Sequence, residues 1–177
     1  MKTIIKGVYK MKERNPVLWE LGALFSKILI ICLIFVLIFT FIYGFHRNAD
    51  PGMAPMIKDG DVVLFYRLGN NHSIGDLVLL NFQGERQVRR IVAQAGDEVD
   101  ITEDGLFING ALHHELEIFE QTRRFASSIE FPLKVGEGQV FVLGDARENS
   151  TDSRIYGSVD TKDTLGTAIT VIRRRNL

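Results

Sequence analysis

Ile28 to Phe45 reads ILIICLIFVLIFTFIYGF, eighteen residues without a charge, and this stretch divides the chain. As a helix rising 1.5 Å per residue it would span about 27 Å, close to the hydrocarbon thickness of a bilayer. Leu21 to Phe25 extends the apolar run if Lys27 snorkels. A core helix of a soluble domain would show a polar face, and this stretch has none. A cleaved signal peptide would have a shorter apolar region, and cleavage after Ala49 would put Arg47 where a small residue is needed. Residues 28–45 are therefore read as an uncleaved transmembrane anchor.

Charge on either side of the anchor sets its expected direction. Before residue 28 stand Lys2, Lys6, Lys10, Lys12, Arg14 and Lys27 against Glu13 and Glu20, a net +4, while the whole chain carries −1. The remainder is thus −5. The positive-inside rule places residues 1–27 in the cytoplasm and residues 46–177 on the outer face of the membrane. Asn15-Pro16 reads as a helix start, with a short interfacial helix over Pro16–Lys27 carrying Trp19. The single cysteine, Cys32, lies inside the anchor and excludes a disulfide framework or a thiolate zinc site. A pI near 6.4 argues against nucleic acid as a partner. No cofactor or metal is expected.

Beyond the polar link His46–Pro51 the pattern is strand-like. The runs are VVLFYRL (62–68), DLVLLNF (76–82), QVRRIVAQ (87–94), EVDIT (98–102), LFING (106–110), QVFVLGD (139–145) and TAITVIRR (167–174). They are rich in β-branched and aromatic residues and are bounded by Gly, Asn and Asp. Asp104-Gly105 predicts a two-residue hairpin, and residues 111–132 read as a loop-rich insertion. The expected fold class is mostly β, a sandwich or partly closed barrel following one N-terminal transmembrane helix.

Two charged clusters need a reading. His113, His114, Glu115 and Glu117 have metal-binding chemistry, but adjacent histidines on an extended chain point in opposite directions, so a solvated loop is expected. Arg173 to Arg175 read as a charged terminus, with contact to anionic lipid or a partner as the competing reading.

Four motifs appear in order: Gly52-Met53-Ala54-Pro55-Met56 followed by Asp59-Gly60-Asp61; Gly75-Asp76-Leu77-Val78-Leu79-Leu80; Val88-Arg89-Arg90-Ile91-Val92 with Gly96-Asp97; and the eleven residues Gly144 to Arg154, GDARENSTDSR. In this order and spacing they resemble the type I signal peptidase family (S26-like) over nearly the whole chain. The resemblance implies a Ser–Lys dyad, in which a neutral lysine takes the proton of an attacking serine hydroxyl. The family's serine falls on Gly52 and its lysine on Arg89. Glycine offers no nucleophile, and a guanidinium stays protonated. No catalytic residue is therefore assigned.

Nothing else in the sequence replaces the dyad. Lys58, Lys134 and Lys162 are the lysines beyond the anchor, and none sits in the motif that supplies the base. Asp50 is the one carboxylate near Gly52, and an aspartic-type mechanism would need a second. Pro51 stands where the family has a small residue, which weakens an oxyanion hole on this loop. Asp50, Met53, Pro55 and Ser150 are read as a vestigial site or groove. By resemblance Arg90 pairs with Asp145, and Asp152 with Arg154, as structural supports.

The chain most resembles the inactive signal-peptidase-like proteins encoded with Gram-positive pilus genes. That implies a membrane-anchored chaperone or accessory factor in pilus polymerisation, with pilin subunits as partners and a sortase alongside. The competing expectation is a membrane signal peptidase, or a residual peptidase of unusual mechanism, acting on exported preproteins.

Overall fold

The computed structural model describes residues 16–69 and 72–173. The basic residues from Lys2 to Arg14, the Asn15 cap, and Arg174 and Arg175 lie outside them. The chain separates into two compact units, residues 1–40 and 41–177.

In the first unit one continuous helix, α1, runs from Pro16 to Phe41. It joins the expected interfacial helix to the apolar stretch without a break. Val17–Phe41 has a mean hydropathy of 2.8 and, among the described residues, is the one helix long and apolar enough to cross a membrane. The helix stops four residues short of the expected Phe45. Tyr43–Arg47 forms strand β1 instead, because Tyr43 and Phe45 are as suited to a strand as to a helix, and a short apolar run does not distinguish the two.

The second unit holds two antiparallel sheets. Beyond β1 its strands are β2 (Val62–Tyr66), β3 (Leu77–Phe82), β4 (Glu85–Gln94), β5 (Glu98–Thr102), β6 (Gly105–Ile108), β7 (Ala111–Leu112), β8 (Leu133–Lys134), β9 (Gln139–Leu143), β10 (Val159–Asp160) and β11 (Thr164–Ile172). The larger sheet has the order β1-β2-β11-β3-β4-β9-β10 and the smaller β7-β6-β5-β8. The mostly β class is thus observed. All seven runs predicted as strands are strands, and β1, β7, β8 and β10 were not predicted; the last three are two residues each, too short to show a period. The hairpin between β5 and β6 turns on Glu103-Asp104, one position before the expected pair, since Gly105 already pairs with Thr102.

Three apolar clusters fill the second unit. Val92, Ala93, Val99, Ile101, Leu106, Phe141 and Leu143 join the small sheet to β4 and β9. Met53, Ile57, Val63, Phe65, Leu79 and Val88 form a second cluster. Val78, Leu80, Ile91, Val140 and Val142 form the third, edged by Phe82, Tyr156 and Val159. Strand β4 contributes to all three, which explains its ten-residue length. Its middle carries Arg89 opposite Val78 and Arg90 opposite Leu77.

His72 leads into β3 and binds across to β11. Thr164 Oγ1 donates to the Thr161 carbonyl at 2.7 Å, so its oxygen is left to accept from His72 Nε2 at 3.2 Å. Thr167 Oγ1 lies 3.0 Å from Nδ1 and donates to it when the imidazole is neutral. Burial pushes the His72 pKa down, against the opposing pull of Asp76. Such a group binds its proton more readily in the unfolded chain, so its stabilisation is complete above the ordinary value of about 6.5 and is lost as pH falls below it. The melting temperature of the parent chain in detergent should therefore fall between pH 7.5 and 5.5, with a shallower slope for His72→Gln. Equal slopes would show that His72 contributes nothing to the pH dependence.

Candidate functional site

The site is assembled from a turn and two strand ends. After β1, Asp50 caps the 3-10 turn Pro51–Met53 by accepting the Gly52 N–H at 2.9 Å. The Gly52 carbonyl accepts from Ala146 N at 3.0 Å, just past the end of β9. Gly144 is required at this crossing: a Cβ there would lie 2.3 Å from Ser150 Cβ and 2.4 Å from the Gly52 oxygen. Positions 52, 144 and 150 therefore meet at one point.

Arg89 reaches the same point from β4. Its side chain is 1% exposed and ion-paired through Nη1 with Asp50 Oδ2. Nη1 also donates to the Val88 carbonyl at 2.6 Å, and Nε to the Thr151 carbonyl at 2.9 Å. A Cβ built on Gly52 would lie 3.0 to 3.1 Å from Nη2, Cζ and Nη1 of Arg89. The two positions that the resemblance singled out thus touch, and the guanidinium crowds the space a side chain at 52 would enter. Asp50, read from the sequence as part of a vestigial site or groove, is the counter-ion of Arg89.

The supporting charges form forked pairs. Arg90 donates through Nε and Nη2 to Asp145 at 2.8 and 2.7 Å, and this pairing raises the Arg90 pKa. Asp152, fully buried, accepts from Arg154 Nε at 2.9 Å, Arg154 Nη2 at 2.8 Å and Gly144 N at 3.1 Å. Ser150 Oγ also donates to Asp152 and accepts from Arg154 Nη2 at 3.0 Å. Ser150 is thereby committed to the support rather than to Arg89. Met53 lies wholly inside the core and does not line a groove as expected, whereas Pro55 is exposed.

Arg147 was missed. Its buried side chain donates to the Gly144 carbonyl at 2.8 Å and to Thr122 Oγ1, and pairs with Glu115 at 2.5 Å. An arginine in a polar loop reads as exposed, and only the folded chain reveals its partners. Glu115 is thus an ion-pair partner, and among the described residues no group of three or more His, Cys, Asp or Glu side chains could hold a metal.

Asp50→Asn keeps the acceptor for Gly52 but removes the charge opposite Arg89. It should destabilise the chain by about 2–4 kcal/mol, a range lowered for the residual exposure of Asp50. Asp50→Asn with Arg89→Met should cost clearly less than the two single changes added together. Additive losses in chemical denaturation would show that the pair is not coupled.

Comparison with known proteins gives the family. Residues 21–172 match the model of the family described as "Signal peptidase, peptidase S26". Signal peptidase I P of Bacillus subtilis subsp. natto is 28% identical over 170 residues, covering 89% of both chains. Signal peptidase I of Bacillus licheniformis is 31% identical over 156 residues, covering 81% of this chain and 83% of the relative. A solved signal peptidase I from Enterococcus faecalis V583 is 28% identical with a TM-score of 0.49, covering 55% of this chain and 96% of that one. The chain belongs to the signal peptidase S26 family.

Proposed function

We propose that this chain is a non-catalytic member of its family that binds exported polypeptides without cutting them. One observation carries the reading: Gly52 and Arg89 meet at the site, and Arg89 is neutralised by Asp50. A nucleophile is absent at 52, and the cation at 89 cannot accept a proton. What remains is a sheet whose order, among the described residues, ends at β1, three residues from Asp50, and an extended chain can add to a sheet edge through backbone hydrogen bonds. The proposed topology is a single pass, with residues 1–27 in the cytoplasm and residues 46–177 outside, by the charge asymmetry of the flanks.

The finer proposal is an accessory factor or chaperone in pilus assembly, with pilin subunits as the bound polypeptides and a sortase acting alongside. It rests on the loss of both dyad groups, and a strain lacking the gene should fail to polymerise pili. Normal pili in that strain would remove the role.

A second reading is that of a peptidase, and the relatives named signal peptidase I favour it. The two readings separate in one assay. Purified full-length chain in liposomes should leave an exported preprotein intact from acid to neutral pH. Cleavage abolished by Asp50→Ala or Ser150→Ala would establish the peptidase.

Gly52→Ser combined with Arg89→Lys should also leave the preprotein uncut. A lysine at position 89 would face the Asp50 carboxylate, which favours the protonated ammonium over the neutral base. Correctly placed cleavage by that variant would show that Asp50 does not suppress the base.

A further inference from the structure

The far end of the large sheet carries two arginines that the site does not use. Arg47 ends β1 and stands opposite Val62 of β2, which in turn stands opposite Ile172 of β11. Arg173 follows. These residues and Gly60 line a shallow depression of about 470 Å³. Among the described residues neither arginine is paired with a carboxylate, while six ion pairs are formed elsewhere. Asp59 beside Gly60 is exposed. Asp61 is buried and accepts the Lys58 N–H at 3.0 Å.

The floor between the arginines is apolar. Val62 stands between Arg47 and Ile172 in register, and Ile172 is 54% exposed. A pair of unpaired guanidiniums beside exposed hydrocarbon suits an anion attached to an apolar chain. Planar guanidiniums match phosphate oxygens with two parallel hydrogen bonds, and the exposed Ile172 would cover the chain's first carbons. Chain geometry supplies a second reason. Arg47 follows Phe41, the last residue of α1, by six positions, so their Cα atoms lie within about 22 Å of each other.

We propose that Arg47 and Arg173 form a binding site for the phosphate of an anionic phospholipid, with Val62 and Ile172 beneath it. The full chain in neutral maltoside detergent is to be offered phosphatidylglycerol or phosphatidylcholine, and retained lipid counted by native mass spectrometry. Phosphatidylglycerol should be retained in preference to phosphatidylcholine, and less so as salt rises.

Arg47→Gln with Arg173→Gln should lose retention, roughly fivefold per arginine removed. Ile172→Ser, which leaves every charge in place, should weaken it too. Cations elsewhere in the chain also attract anionic lipid, so the difference between parent and variant is the readout. No salt-sensitive preference in the parent, or unchanged retention in the double variant, would overturn the proposal. So would displacement of the lipid by soluble glycerol phosphate at equal concentration, since the site would then take a free anion.

Discussion

The Asp152 carboxylate is the fixed point of the β unit. It is fully buried and gathers donors from Gly144 N, Ser150 Oγ and both ends of the Arg154 fork. A carboxylate with this many donors keeps its charge inside the protein because each lone pair is satisfied. It closes the loop leaving β9 onto the short helix α2 (Ser153–Tyr156), whose first turn it also caps through Arg154 N. That loop presents the Thr151 carbonyl to Arg89 and the Ala146 N–H to Gly52. Gly52 and Arg89 therefore both hang from Asp152.

A buried arginine and a lysine acting as a base make opposite electrostatic demands. A base lysine works because its surroundings disfavour charge. A guanidinium needs the opposite, a counter-ion and acceptors for its donors. The chain supplies both, through Asp50 and through the carbonyls of Val88 and Thr151. Proton transfer and this pair require incompatible surroundings, and those of position 89 suit the pair.

Much of this architecture is legible in the sequence. Strands with β-branched alternation and Gly or Asp boundaries were found where expected, because period and punctuation are local signals. The four motifs singled out positions 52 and 89, which the fold brings side by side. Three kinds of information were hidden. The junction at residues 42–45 is apolar in either secondary structure, so only pairing with β2 settles it. Met53 looked like a groove residue because its motif is a site motif, yet its thioether fills the core. The side-chain partners of Arg147, Thr122 and Glu115, are 25 and 32 positions away in the chain, with no periodicity to announce them.

Arg147 also bears on the polymer physics of the insertion. Between β7 and β8 some twenty residues run without regular structure, and a loop of that length would ordinarily be free to vary. Glu115 and Thr122 both pin it to one buried guanidinium, and Glu120 accepts the neighbouring Glu148 N–H at 3.0 Å. The insertion behaves as a set of short loops closed in series, each with a small closure entropy that grows only slowly with length. The stretch after Thr122 is closed in the same way, by Arg124 on Asp100 and by Ser127 on the Arg154 carbonyl. Any change between Glu115 and Thr122 alters the spacing of two anchors on the same side chain, so variation in loop length should be scarcest there.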